Sequence, residues 1–412
     1  MEKVTKLNLV VLLCVLLLAI PLLYKYSDVL FLLTFIFPIV SLPLYVILKF
    51  EMGYVNITLE AICVGAFIVS RTKSRAPSAY NETYLIGIIL LALITYGFII
   101  GKDHVSLITA LLGVKLLCLP FWLSQVAKFS HQFQFSLFRI LFVVQILNAV
   151  FAVLETMAGP QVLQGLGFQY GTNQRNFGTV LRVPGLTLTN YLLGSFSAIL
   201  GVLGYLVASK KMFARDSQIH LLSFASFISS VICLFLSSFR SGIVFTFSCI
   251  VFIELLGKKS FSRVTNIFIY GAVTILLASA GNVYLLNTSS SAERQVLWGR
   301  LLGQNDWIHG SGIGFTGAAS RSSFANSMEN IVTDNQYITL LLQFGILGIL
   351  ACLIIFGYFF MRTDYIGKGV LLATLMMMGY VEVWDLTVMF TLNLYLIHLG
   401  FQKDLRENMT FK

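Results

Sequence analysis

Residues 219–257 read IHLLSFASFISSVICLFLSS, then FR, then SGIVFTFSCIVFIELLG. Two unbroken apolar blocks are parted by a turn that carries one charge, Arg240, and Lys258 and Lys259 follow the second block. A bilayer core is about 30 Å thick, and about 20 apolar residues cross it as helix. The stretch therefore predicts a helical hairpin through a membrane. Its apolar runs are continuous rather than alternating, which excludes a membrane β-barrel.

The same pattern recurs along the 412 residues. Further spans are predicted over 7–23, 29–49, 54–70, 84–101, 105–124, 138–158, 186–209, 264–286 and 337–361. The stretch 369–400 is long enough for two short helices turning near Glu382 and Asp385. The total is about 12 spans at the usual length per crossing. Hydrophobic residues make up 57% and charged residues 11%, with a mean hydropathy of +0.85. Soluble domains carry about 25% charged residues. The expectation is an all-α, polytopic transmembrane bundle, with residues 1–412 forming one integral membrane domain. The span 7–23 follows Lys3 and Lys6 but has no small-residue cleavage site after it, so it is expected to be retained.

The net charge of +10 is spread over short connections. That is a topology signal rather than a face for nucleic acid. Clusters at Arg71, Lys73 and Arg75, at Lys210, Lys211 and Arg215, at Lys258, Lys259 and Arg263, and at Arg362 and Lys368 fall on one side. The two longer loops, 159–185 and the large 287–336, then lie on the other, extracytoplasmic side. Counting back puts Lys3 and Lys6 outside, against the rule; 29–49, with Pro38 and Pro43, reads as broken or re-entrant. The six cysteines lie within or beside apolar runs and form no CxxC, so neither disulfide nor metal site is expected.

The two outer loops contain no lysine but five arginines: Arg175, Arg182, Arg294, Arg300 and Arg321. Arg240 stands in the short outer turn. A planar, permanently charged guanidinium pairs two phosphate oxygens at once. The bland alternative is that these arginines hold carboxylates or lipid headgroups. Arg182 directly precedes Val-Pro-Gly and a new span, where helix N-termini favour anions. Arg240 sits between two spans, a costly place for an unpaired charge.

His309-Gly-Ser-Gly-Ile-Gly-Phe-Thr-Gly317 holds four glycines in nine residues. They permit close backbone approach to a ligand, or they mark a plain flexible loop. No strand precedes them, so a nucleotide-binding reading is rejected. In Val332-Thr-Asp334-Asn335-Gln-Tyr337, Asp334 is expected to cap the following helix, or to accept a proton or orient a sugar hydroxyl; the two roles are compatible. Glu60, Lys115, Glu155, Glu382 and Asp385 are charges within or near spans. They are scattered rather than aligned as a transport relay. His104, His131, His220 and His398 show no metal-ligand spacing.

These stretches, in this order, resemble the O-antigen polymerase and ligase superfamily, with its Wzy-type polymerases and WaaL-type ligases. The resemblance rests on Arg182-Val-Pro-Gly with Thr189-Asn190, on Phe239-Arg240-Ser-Gly, on Arg294 through the glycine run, and on Asp334-Asn335-Gln-Tyr337 followed by Leu-Leu-Leu-Gln-Phe-Gly-Ile-Leu-Gly348. It covers roughly 175–350. It implies a GT-C-like glycosyltransferase of the bacterial inner membrane, working on the periplasmic face without metal or other cofactor. The donor would be an undecaprenyl-diphosphate-linked oligosaccharide, the other partners the lipid bilayer and a chain-length regulator. Carried over, Arg182 and Arg240 are expected to bind the diphosphate, with Arg294 and Arg175 as further candidates. Asp334 is the expected catalytic carboxylate, and His309, Asn335 and Tyr337 the acceptor or sugar ligands. Ligases usually have a histidine where this chain has Asp334, which favours a polymerase joining repeat units of an O-antigen or capsule. An O-antigen ligase or protein O-oligosaccharyltransferase is the nearer alternative. A flippase is the other, disfavoured by the lack of internal repeats.

Overall fold

The computed structural model describes residues 80–124, 131–168, 175–177, 180–187, 189–209, 217–257, 289–317, 320, 333–380, 394 and 397. The spans expected over 7–23, 29–49, 54–70 and 264–286, most of the second half of 369–400, and Arg321 lie outside these residues. Within them the chain is almost wholly helical. The helices are α1 (Tyr80–Gly101), α2 (Leu107–Ser124), α3 (His131–Gly165), α4 (Asn190–Ala208), α5 (Ser217–Ser237), α6 (Arg240–Gly257), α7 (Ser289–Gln304), α8 (Gln336–Arg362) and α9 (Tyr365–Met378). Strands β1 (Arg175–Phe177) and β2 (Val180–Arg182) form an antiparallel hairpin between α3 and α4.

Among the described residues, five helices are long and apolar enough to cross a membrane: Phe135–Gly165, Asn190–Ala208, Ser217–Ser237, Arg240–Gly257 and Gln336–Arg362. Their outward faces are apolar, with Leu147, Val150 and Leu154 exposed on α3 and Leu221, Phe224 and Phe235 on α5. Contiguous exposed apolar surface of this kind requires a non-aqueous neighbour. The protein is a membrane-embedded helical protein.

The described residues form two compact units, one drawn from Val126–Phe239 and the other from Ser78–Gln125 with Arg240–Lys412. In the first unit, α5 turns a face of small residues inward: Ser223, Ser226, Ser229, Ser230, Cys233 and Ser237 are buried. In lipid, where apolar side chains gain little by leaving the solvent, small residues let helices approach and make contact directly. Gly204 of α4 shows the effect, since a Cβ there would lie 2.9 Å from the Ser223 carbonyl oxygen. α3 outruns its predicted end at 158. It kinks at Gly159 (φ 78°), just before Pro160, and continues to Gly165. Pro160 has no N–H to donate, and glycine accepts the positive φ at the break.

In the second unit α6 lies along α9, with Gly369 against Ile253. The long segment 287–336 contains an ordered element, the helix α7. It packs Leu297, Trp298, Leu301 and Leu302 against Ile338 and Leu342 of α8. α8 breaks at Gly345 (φ 63°). Its strongly exposed apolar side chains all follow that break: Ile346, Leu347, Leu350, Leu353, Ile354 and Met361. The kink therefore marks where the lipid-facing belt of this helix begins.

Candidate functional site

The glycine run fills the break in α8. Beyond the left-handed Gly345, the α8 backbone cannot close its own ladder, and polar groups at membrane depth must find protein partners. The run supplies them. Ser311 N donates to Leu342 O at 2.8 Å, Gly312 N to Gln343 O at 3.0 Å, and Ile346 N to Ile308 O at 3.0 Å. On the other side Ile313 N donates to Gly97 O of α1 at 3.2 Å. Tyr96 Oη donates to His309 O, and Gln343 Nε2 to Thr316 O. Residues 308–316 thus form a wedge seated among α1, α2 and α8.

The glycines are there because backbone meets backbone. A Cβ on Gly312 (φ 107°) would lie 2.2 Å from Gly101 Cα, and one on Gly314 (φ 86°) 2.5 Å from Thr109 O. Of the two sequence readings, neither an open ligand cradle nor a loose loop describes this segment. Its close approach is to its own helices, and Ile313 is buried.

The wedge begins with an exposed pair. His309 Nδ1 lies 2.7 Å from Asp306 Oδ2, while Asp306 Oδ1 accepts from the amides of Ile308 and His309. Hydrogen bonds from the His309 ring and amide hold the Asp306 carboxyl below its usual range. Trp307 and Ile308 are exposed beside the pair.

Asp334 and Arg294 meet at the head of α8, where Arg294 Nη2 lies 3.2 Å from Asp334 Oδ2 and both side chains are partly exposed. Arg294 and Trp298 are one helical turn apart on α7 and so share a face. Trp298 Nε1 donates to the Thr333 carbonyl next to Asp334, which ties α7 to the bend that enters α8. The Thr333 hydroxyl lies 2.6 Å from that of Thr339, closing the turn from the inside.

Asp334 does not cap α8. The cap is Asn335, whose Oδ1 accepts from Tyr337 N at 3.0 Å and Ile338 N at 3.2 Å. The cap residue needs extended backbone, and Asn335 has it (φ −151°). Asp334, one step earlier, takes the left-handed conformation (φ 48°), which Asp and Asn tolerate better than most residues. Its carboxylate is thereby turned towards Arg294 instead of into the helix. Asn335 Nδ2 also donates to Gly379 O, and the Tyr337 hydroxyl to Leu375 O at 2.6 Å. These two side chains, expected at the acceptor or sugar, tie α8 to the end of α9.

Arg240 opens α6 at its first residue. Before it, Phe239 stands edge-on to Tyr191, with ring centres 5.0 Å apart, and fills the notch left by Gly194. Arg182 ends β2, directly opposite Arg175 of β1 in the hairpin register. The ladder thus sets two arginine positions against each other at the end of the hairpin that leads into Val183-Pro184-Gly185. Arg175 and Arg182 belong to the first unit; Arg240, Arg294, His309, Asp334, Asn335 and Tyr337 belong to the second.

The exit from β2 is anchored by residues to which the sequence pattern assigned no role. Glu155 Oε2 accepts from Gly185 N at 2.8 Å, and Asn148 Oδ1 from Leu186 N at 2.9 Å. Both acceptors come from α3 and both are buried. The Thr187 hydroxyl lies within hydrogen-bond distance of the Pro184 and Thr189 carbonyls, and Thr189 Oγ1 accepts from Leu192 N as the cap of α4.

Among the described residues, no three or more His, Cys, Asp or Glu side chains are grouped to hold a metal ion. No protein-family model matches the chain, and no curated protein matches it.

Proposed function

We propose that this chain is a polysaccharide polymerase that joins undecaprenyl-diphosphate-linked repeat units on the outer face of the bacterial inner membrane. In this reading it is a GT-C-like bundle of about 12 spans, the number that its apolar runs allow. The observation that carries it is the Arg294–Asp334 pair at the head of α8. It sets a diphosphate-type cation beside a carboxylate, in the stretch whose order of motifs resembles the polymerase and ligase superfamily. The arginine-only outer segments support the same substrate.

The chemistry asked of these residues is a single displacement. The acceptor sugar's hydroxyl oxygen attacks the anomeric carbon of the donor glycan, and the bond from that carbon to the diphosphate oxygen breaks. The diphosphate leaves with the bonding pair, and negative charge grows on it. A guanidinium is suited to neutralise that charge, which is where enzymes gain most stabilisation. Arg294, beside Asp334, is the one this reading rests on, and Arg182 and Arg240 are the candidates that the resemblance adds. The hydroxyl proton needs an acceptor, and Asp334 is the carboxylate at hand. His309, whose exposed ring is held to Asp306 through Nδ1, is the candidate for sugar contacts.

The test replaces Arg240 and Arg294 singly by lysine. A point charge keeps the sign but loses the fork, so polymer yield at equal expression should fall about 10²-fold or more, the usual cost of losing one such donor. Polymer of normal amount and length in both variants would reject the diphosphate role.

A further inference from the structure

We propose that Glu155 and Asn148 are positioning residues that set Arg182 for its anionic substrate group. The inference rests on the diphosphate reading of Arg182. A carboxyl group within a membrane span is expensive and ordinarily serves a site. Glu155 lies in the Phe135–Gly165 span and is buried. Its bond reaches across 30 residues of sequence to a backbone amide three residues after Arg182.

The need for that bond follows from the local backbone. Residues 183–187 are buried as they leave the hairpin, although they are neither helix nor strand. Buried amides must be paired. Pro184 has no N–H, and Thr187 N pairs with Pro184 O inside the turn. The two intervening amides, of Gly185 and Leu186, point away from it. Gly185 has φ +59°, and a Cβ there would lie 3.2 Å from the Asn148 carbonyl oxygen. The turn is thus pressed on to α3, and α3 offers an acceptor to each open amide. Asn148 and Glu155 are seven residues apart, two helical turns on one face, so a single rigid helix holds both central amides of the turn.

Arg182 itself is the last residue of a three-residue strand. So short a strand takes its placement from the turn at 183–187, and the two side-chain acceptors of α3 hold that turn in place. A shift of about 1 Å in a substrate-positioning group can cost about 10²-fold in rate. Glu155 therefore acts through Arg182 as an acceptor of a hydrogen bond, not as a proton carrier.

The two ideas separate on substitution. Glu155→Gln keeps an oxygen that can accept from Gly185 N. Glu155→Leu keeps the bulk and loses the acceptor. Full-length protein in detergent would be given an undecaprenyl-diphosphate-linked repeat unit, with initial rates measured across donor concentrations and the folded fraction measured separately. The expected result is near-normal turnover for the Gln variant. For the Leu variant, kcat/KM should fall about 10²-fold per folded molecule. Asn148→Leu serves as the second variant should Glu155→Leu not fold, and should show the same loss, with Asn148→Asp restoring activity. A Gln variant as impaired as the Leu variant would overturn the positioning role in favour of proton transfer. Leu variants with normal kcat and KM per folded molecule would overturn it in favour of plain stability. Wild-type protein that transfers nothing would instead remove the diphosphate reading, and this inference with it.

Discussion

Gly312→Ala should unseat the wedge, and its cost can be worked from the geometry. A Cβ at Gly312 would lie 2.2 Å from Gly101 Cα and 3.0 Å from Gly97 O. Carbon atoms rest about 3.5–4.0 Å apart, so either α1 or the wedge must retreat by more than an ångström. Overpacking of this kind costs about 1–3 kcal/mol. The φ of +107° adds about 1–3 kcal/mol for a residue with a Cβ. The hydrogen bonds from Gly312 N and Ile313 N lie on the two sides of the clash, and each is worth about 1 kcal/mol net. The expected loss is about 2–6 kcal/mol from clash and backbone, and about 2 kcal/mol more where both hydrogen bonds are lost. Gly299→Ala is the control, because its Cβ would meet open space on α7; there alanine should be neutral or stabilise by about 0.5–1 kcal/mol. Unfolding in mixed micelles, followed by circular dichroism as denaturing detergent is added, compares the three proteins. Equal midpoints for the two variants would refute the wedge.

Asn335→Ala removes a cap and the tie to Gly379, and should lower stability by about 1–3 kcal/mol in the same unfolding assay. Asp334→Asn suits the left-handed backbone and leaves that cap in place, so the fold should hold while polymer yield falls; a full yield would leave Asp334 only its contact with Arg294. Arg300 is exposed on α7, and Arg300→Cys in intact cells should react with an impermeant thiol reagent added outside; protection there, with labelling after lysis, would reverse the topology.

The hydropathy pattern marked the helices well because lipid enforces it. Predicted spans at 219–238 and 241–257 appear as Ser217–Ser237 and Arg240–Gly257. The end of α3 was less legible, since Gly159-Pro160 reads as a stop but here only bends the helix. The glycine run was visible as a feature and not as a wedge. Its partners Gly97, Gly101 and Gly345 are scattered over about 250 residues of chain, and nothing local links them. Asp334 and Asn335 are both good caps by residue type, and only the backbone angles separate them. Glu155 looked like one of several scattered charges because its partner is an amide, which no side-chain pattern reveals. The seven-residue spacing to Asn148 was the available signal, and it gains meaning only once Gly185 is known to need an acceptor.

The most direct measurement uses purified protein in detergent, an undecaprenyl-diphosphate-linked repeat unit, and no other acceptor, with products resolved on a gel. A polymerase uses the unit as donor and acceptor alike, so a ladder of products is the predicted result. Bound substrate without a ladder would contradict the polymerase. Transfer on adding lipid A core or a protein acceptor would then identify a ligase, and binding without transfer to any acceptor would point to a flippase.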